Sequence, residues 1–320
     1  MGLFNLAITG DLDELGLFPG GTVFVLAEDS HGRGLTDRFV GDRQVLSNID
    51  EGPFTQVTEY WWQRKLVEEF ITVRLGKQDA NAEFAVVDLG GDFVHSSFGQ
   101  PYNIPMPAWP DAAMGVLTLF EFSETFALKA GVFDGGADGS TWGFSGTGEV
   151  FSIGEFEAVW RLADGRLPGD FHAGIWYHSG RWDHVTRPGT ALAGNYGVYL
   201  GMEQLLFRKS GDDDETGGLG VFAQYSWAPA GRNDVPHYVG GGLVYKGLFR
   251  NRDDDTTGVG VAHAIFTPHL GTNPETAIEL FHKFQFSEFI VLQPDLQYIV
   301  SPGGTERDAF VFGLRHEVVF

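Results

Sequence analysis

The sequence predicts an all-β fold: one antiparallel β-barrel that crosses an outer membrane with its strands. Three observations support this prediction. Segments with alternating apolar and polar side chains recur along the whole chain, and long connections alternate with short ones. The 320 residues contain no convincing helix of three turns and no apolar run of about 18 residues, so no transmembrane helix is expected. The mean hydropathy of −0.09 fits a barrel, because half of each strand faces water.

The alternation is clearest in the last segment, residues 308–320. Most even positions, such as Leu314, are apolar, whereas Arg315 and Glu317 occupy odd positions. Successive side chains of a strand point to opposite faces, so this segment has one apolar face and one charged face. A strand of a soluble sandwich can show the same pattern. The aromatic carboxy-terminal residue, Phe320, favours the closing strand of an outer-membrane barrel, with its apolar face on lipid and its polar face on an aqueous lumen.

The same reasoning, applied along the chain, predicts fifteen antiparallel strands in a single domain over residues 1–320. The predicted strands cover residues 4–9, 22–28, 54–64, 69–77, 112–120, 124–133, 149–162, 168–178, 194–207, 217–228, 236–247, 257–266, 275–286, 288–299 and 308–320.

The connections between these strands differ in length in a regular way. If the carboxy terminus lies in the periplasm, the short connections fall on the periplasmic side and the long ones on the outer side, as outer-membrane barrels show. Two periplasmic turns, near 208–216 and 248–256, are of medium length. The longest connection, 78–111, is expected to fold inward and narrow a pore, because loops of this length tend to be functional.

The strand count and the first residues predict that the chain is shortened at its start. Bacterial barrels of this kind have even strand numbers, so fifteen suggests one further strand upstream of Met1. The segment after Met1 also lacks the basic and apolar regions of a secretion signal, which an outer-membrane protein needs.

The composition limits the partners. The absence of Cys excludes a disulfide scaffold and a Cys-ligated metal site. A formal net charge of −22 argues against a nucleic-acid partner. Neither a cofactor nor a bound metal is expected from the motifs present.

Several stretches resemble the carbohydrate-selective porins, the OprB-type family. The most specific is Val291-Leu-Gln-Pro-Asp-Leu-Gln-Tyr298 with Ser301-Pro-Gly-Gly304 behind it, and Arg74-Leu-Gly-Lys-Gln-Asp79 fits further upstream. The resemblance spans nearly the whole chain. It implies a sixteen-stranded barrel in the outer membrane of a Gram-negative bacterium that passes carbohydrates, monosaccharides such as glucose, by passive diffusion. Its partners would then be small sugars and outer-membrane lipid, with the protein either a monomer or a trimer.

A sugar pore needs polar side chains that replace water around hydroxyl groups and aromatic faces that stack on the ring. The parity of Glu59, Trp61 and Trp62 on their strand is not settled by the pattern, and His95 and Trp109 lie in the long loop. The candidate pore-lining residues are Arg74, Glu59, Trp62, His95, Trp109, Lys129, Glu155, Glu157, Trp176, Glu203, Glu279, Asp295, Gln297, Arg315 and Glu317.

Other interpretations stay open at this point. A lumen charge often belongs to a solvated ion-pair ladder in the wall, and Trp176 can be an interior packing residue. The chain could also be a non-selective general porin or a barrel with a plugged lumen. A barrel enzyme of the phospholipase or protease type would need a nucleophile and a base, for which His172, His178 and Ser179 are the candidates.

Overall fold

The computed structural model describes residues 1–67, 70–209 and 217–320, and these form fifteen antiparallel strands. Each strand pairs with the next in the chain, in one continuous sheet. The strands are β1 (Gly2–Asp11), β2 (Gly21–His31), β3 (Phe54–Leu66), β4 (Ile71–Gln78), β5 (Ala113–Glu121), β6 (Phe126–Asp134), β7 (Val150–Leu162), β8 (Leu167–Asp183), β9 (Ala191–Arg208), β10 (Gly218–Trp227), β11 (His237–Lys246), β12 (Thr256–Ile265), β13 (Glu275–Ser287), β14 (Ile290–Val300) and β15 (Ala309–Val318).

The sheet curls round until its first and last strands approach each other. The rings of Phe4 in β1 and Phe320, just after β15, stack with their centroids 6.5 Å apart. The fold is therefore an up-and-down barrel, and all fifteen strands predicted from the sequence are confirmed. No helix within residues 1–67, 70–209 or 217–320 is long and apolar enough to cross a membrane. The predicted turn at 208–216 lies largely outside the described residues.

The helical segments are single turns in the connections. A π-type turn covers Thr36–Val40 in the β2–β3 connection. The 3₁₀ turns are Ala80–Ala82, Asp88–Gly90, Ser96–Phe98, Pro268–Leu270 and Pro302–Gly304. Three of the 3₁₀ turns lie in the β4–β5 connection, which folds into the barrel.

Alternation along the strands separates an outer face from an inner face. In β14, Leu296 and Tyr298 are exposed on the outer face, whereas Gln297 between them is buried on the inner face. The inner face is buried because two connections fold against it: the β4–β5 segment, residues 79–112, and the β2–β3 segment, residues 32–53. Sequence reasoning predicted only the first of these.

The barrel interior is partly apolar, which the sequence did not lead us to expect. Two clusters form where inward side chains of the wall pack against the inward segments. The first cluster includes Phe84, Ile104, Phe133, Phe151, Trp176 and Tyr199. The second includes Leu46, Phe93, Phe98, Phe222, Tyr238 and Phe281. Burial of these side chains holds both segments inside the barrel, at about 1.5–3 kcal/mol per large side chain.

Many inward aromatic rings lie directly over a glycine on the neighbouring strand. Tyr199 is paired with Gly174, and a Cβ added to Gly174 would be 2.0 Å from the tyrosine ring. Phe281 is paired with Gly258 in the same way, with a Cβ distance of 2.3 Å. Glycine leaves room for the ring to lie flat against the wall. Four other pairs share this arrangement: Gly115–Phe133, Gly197–Trp176, Gly201–His172 and Gly242–Phe222.

Candidate pore constriction

The β4–β5 segment is held by wall carboxylates that accept its backbone N–H groups. Glu203 of β9 accepts from the consecutive amides of Asp88 and Leu89, at 2.8 and 2.5 Å. The 3₁₀ turn Asp88–Gly90 begins at these amides, so the carboxylate satisfies donors that a short turn leaves free. Glu203, a predicted pore-lining residue, is therefore a loop anchor that also borders a cavity.

Glu279 of β13 makes the same contact further along the segment. Its two oxygens accept from the amides of Val94 and His95, at 2.7 and 2.9 Å. The His95 ring is fully buried, and burial lowers its pKa to about 3, so the ring is neutral. His95, predicted near the constriction, lies in the packed part of the segment rather than on a free surface.

Glu155 of β7 joins the segment to a cationic wall residue. It accepts from the Ala85 amide at 2.7 Å and from the Tyr199 hydroxyl at 2.8 Å. Lys129 of β6 lies 3.1 Å from Glu155 and 2.8 Å from Glu157. Glu157 is partly exposed, and it is the member of this network that remains open to solvent in the lumen.

Both ends of the β4–β5 segment meet at Asp79. The carboxylate of Glu59 accepts from the Asp79 amide at 3.1 Å, so Glu59 faces the lumen. The Asp79 carboxylate accepts from the amides of Asn81 and Trp109, at 2.7 and 3.2 Å. Burial raises the pKa of Asp79 to about 6. The Trp109 indole donates to Glu28 at 3.2 Å, which fixes this ring near the outer end of the pore.

The β2–β3 segment has an anchor of the same kind. Glu275, at the start of β13, accepts from the amides of Arg43 and Gln44, at 2.8 and 3.0 Å. It also accepts from the amide of Gly303 at 2.6 Å. Sequence reasoning did not select Glu275, although its inward parity on the strand was evident. An apolar pair inside a polar connection, Val45–Leu46, was the available signal that the segment enters the barrel.

Gln297 and Asp295 of β14 complete this second anchor. The Gln297 amide donates to the carbonyl of Leu46 at 2.8 Å and to the Asp295 carboxylate at 3.0 Å. Both side chains are buried under the β2–β3 segment. They face inward, and they contact the protein's own chain.

Arg315 and Glu317 of β15 lie where the β2–β3 segment reaches the last strand. The Arg315 guanidinium donates to the side chain of Asn48 and, at 3.4 Å, to the hydroxyl of Ser47. It lies 3.9 Å from Glu317, whose side chain is exposed. Arg315 thus ties the segment to the wall, while Glu317 remains accessible.

Arg74 of β4 connects the wall to the β4–β5 segment near Glu83. Its guanidinium donates to Gln63 at 2.9 Å and to Glu83 of the segment at 2.7 Å. The guanidinium carbon lies 4.3 Å from the ring centroid of Trp61, a cation–π geometry. Trp61 is a site residue that the sequence left undecided, because a bulge in the β2–β3 pairing shifts the alternation along β3.

Two predicted tryptophans are not placed on the lumen surface. Trp62 lies on the outer face of β3, because both of its neighbours in the strand turn toward Arg74. Its ring packs edge-on against Phe18, 5.7 Å between centroids. Trp176 is on the inner face, but it is buried in the first apolar cluster, stacked on Phe151 at 6.3 Å. The prediction for Trp62 is therefore corrected, and Trp176 is a packing residue.

Two cavities border the β4–β5 segment. The outer one has a volume of about 290 Å³ and is lined in part by Phe54, Gln56, Pro110, Asp111 and Asp138. The inner one has a volume of about 600 Å³ and is lined in part by Glu83, Lys129, Glu157, Asp170, Glu203 and Arg208.

The candidate residues for an enzyme do not form a catalytic set. The His178 ring lies 2.9 Å from the carbonyl of Gly135 through Nε2, and its Nδ1 accepts the amide two residues further on. The Ser179 hydroxyl accepts from the amide of Val150 at 2.8 Å. Both His178 nitrogens are thus occupied by backbone groups, and His172 is six positions away along β8.

Comparison with known proteins agrees with this architecture. The family described as "Carbohydrate-selective porin, OprB family" matches residues 1–320. The chain is 22% identical to Porin B of Pseudomonas aeruginosa, over 99% of this chain and 81% of that protein. It is 21% identical to a putative porin, QuiX, of Acinetobacter baylyi, over 100% of this chain and 83% of that protein.

Among solved structures, the high-pH structure of Pseudomonas putida OprB superposes with a TM-score of 0.91 at 21% identity, over 99% of this chain and 87% of that chain. An outer-membrane protein of Vibrio cholerae, OmpT, superposes with a TM-score of 0.54 over 99% of this chain and 88% of that chain, at 12% identity. The barrel, its inward segments and the family match over the full length lead to one conclusion: the chain belongs to the carbohydrate-selective porins of the OprB family, channels of the Gram-negative outer membrane.

Proposed function

We propose that sugars cross this porin between the outer and inner cavities, past a constriction formed by Arg74, Glu83, Lys129 and Glu157. These four side chains alternate in charge and come from the wall and from the inward segment. The observation that carries the proposal is that Glu83, Lys129 and Glu157 line the inner cavity while Arg74 binds Glu83 directly.

The chemistry of this group suits hydroxyl-rich solutes. Carboxylates accept hydrogen bonds, whereas guanidinium and ammonium groups donate them, so one ring can be contacted on both sides. Each hydrogen bond between a charged side chain and the sugar contributes about 1.5–3 kcal/mol. The net gain is small because the sugar hydroxyl replaces a water molecule or another side chain that was already bound to the same group. Weak binding of this kind allows entry without trapping the solute. Monosaccharides such as glucose are the class we propose.

The other wall carboxylates position the β4–β5 segment and do not contact the sugar in this proposal. Glu203, Glu279, Glu155 and Glu59 hold the β4–β5 segment against the wall, so the width of the constriction is set by a fixed segment. The exposed apolar side chains on the outer face, such as Leu296 and Ile278, then contact membrane lipid.

The test is single-channel current in planar bilayers, with glucose and then a disaccharide added, together with liposome swelling. We expect glucose to reduce the current and to enter liposomes faster than the disaccharide. A current that is insensitive to sugar would leave only a general pore. Hydrolysis of phospholipid or peptide that is lost in Ser179→Ala would instead support an enzyme.

A further inference from the structure

The outer connection between β6 and β7, residues 135–149, extends sideways across the ends of the neighbouring strands. Lys77 of β4 faces the outer side of the wall, since Arg74 and Gln78 face inward, yet it is only 2% exposed. Its ammonium group donates to the carbonyl of Gly139 at 2.6 Å. A lysine on the outer face of the barrel is thus covered by this connection.

The tip of the connection lies against the outer wall. The ring of Trp142 stacks on Tyr60 of β3, with centroids 5.4 Å apart and planes 20° apart. The Gly143 amide donates to the Tyr60 hydroxyl at 3.1 Å. Tyr60 is paired with Val25, which is exposed on the outer face, and with Lys77 at the outer end of the β3–β4 ladder. The tip therefore lies outside the barrel, level with this rim.

Despite these contacts, the two large side chains at the tip are uncovered. Trp142 is 70% exposed and Phe144 is 73% exposed. The connection itself is well held. Asp138 accepts from Ser140 and Thr141, which lowers its pKa, and the Gly139 amide donates to Asp111 at 2.7 Å. Two exposed aromatic side chains on a braced connection indicate a surface that contacts another apolar phase.

We propose that Trp142, Phe144 and Tyr60 form a lipid-contacting flap, with which the β6–β7 connection enters the interface of the outer leaflet. The flap continues the outer wall, which faces the membrane in this family of channels, and it lies at the rim where barrels carry aromatic girdles. The connection contains no Lys or Arg, so it offers no cation to a headgroup phosphate. Its contact is with the boundary between headgroups and acyl chains, where aromatic rings are most stable.

The absence of Cys makes a direct test available. A nitroxide label is attached to Phe144→Cys, and the full chain is reconstituted in phosphatidylcholine vesicles. A matched label at Arg187→Cys marks another outer connection, 184–190, where the side chain is exposed. Channel current in planar bilayers shows that both labelled proteins are folded.

The measured quantity is the collision rate of each label with two reagents. One is oxygen, which concentrates in lipid, and the other is a water-soluble nickel chelate. We expect the ratio of oxygen to nickel collisions to be several-fold higher at residue 144 than at residue 187. Equal ratios would place the flap in water and overturn the proposal. Spin–spin broadening between labels at residue 144, removed by dilution with unlabelled protein, would assign the surface to a second copy of the chain and would also overturn it.

Discussion

Removal of the Glu279 carboxylate tests whether the wall glutamates hold the constriction. In Glu279→Ala, the amides of Val94 and His95 lose their acceptors while they remain buried. Each unsatisfied amide costs about 1–3 kcal/mol, so the two together cost about 2–6 kcal/mol. The strand ladders are not involved, so this cost is expected in docking of the segment and not in unfolding of the barrel.

Hydrogen exchange at residues 94 and 95 measures the docking equilibrium. A cost of about 1.4 kcal/mol changes the docking equilibrium constant tenfold. The lower estimate of about 2 kcal/mol should therefore raise the exchange rate of these amides by roughly 30-fold or more. The noise of the open-channel current should also increase as the segment detaches. Glu279→Gln keeps one acceptor and should give an intermediate effect, and Ile278→Ala, on the outer face of β13, is the matched control. Unchanged exchange in Glu279→Ala would refute the anchoring role.

Three further predictions follow from individual side chains. Arg74→Ala removes a charged donor from the constriction, so the conductance should rise and block by glucose should weaken, on the order of tenfold, with an unchanged thermal midpoint. Leu296→Arg places a charge near the middle of β14 on the outer face and should cost roughly 2–4 kcal/mol in a refolding titration, with a smaller cost for Leu292→Arg near the strand end. Burial, followed by the neighbouring Glu275 carboxylate, raises the pKa of Asp42 to about 6 from 3.8. The folded state therefore prefers protonated Asp42, and this stabilisation is lost as the pH rises through about 6. Near pH 4, Asp42→Asn should be no more stable than the wild type. By pH 7, its free energy of unfolding should exceed that of the wild type by up to about 3 kcal/mol. A difference in stability that does not vary with pH would contradict the assignment.

The strands were predictable because each one carries its own pattern. Alternation in β14, for example, placed Asp295 and Gln297 inside and Leu296 outside, as the structure has them. Alternation does not say what an inward side chain touches. In the sequence, Glu203 and Glu279 look like solvated charges that line a pore. Only the tertiary structure shows that backbone amides of the β4–β5 segment donate to both carboxylates.

The errors have local physical causes. The orientation of Trp62 depended on a register that a bulge in the β2–β3 pairing shifts. The inward course of residues 32–53 depends on contacts with Glu275, more than two hundred residues away in the chain, and short-range patterns do not record such contacts. The sequence left two roles for Trp176, pore lining and interior packing. Its place beside Phe151 and Tyr199 in the first apolar cluster shows that it is a packing residue.

The glycines that lie beneath aromatic rings set how close the inward segments can lie to the wall. With no side chain at Gly174, the Tyr199 ring rests on the backbone of the adjacent strand, where it is fully buried and donates to Glu155. A methyl group at Gly174 would displace this ring, and with it the carboxylate that accepts from the Ala85 amide. A single hydrogen atom on the wall thus fixes both the depth of the packing and the position of a charge.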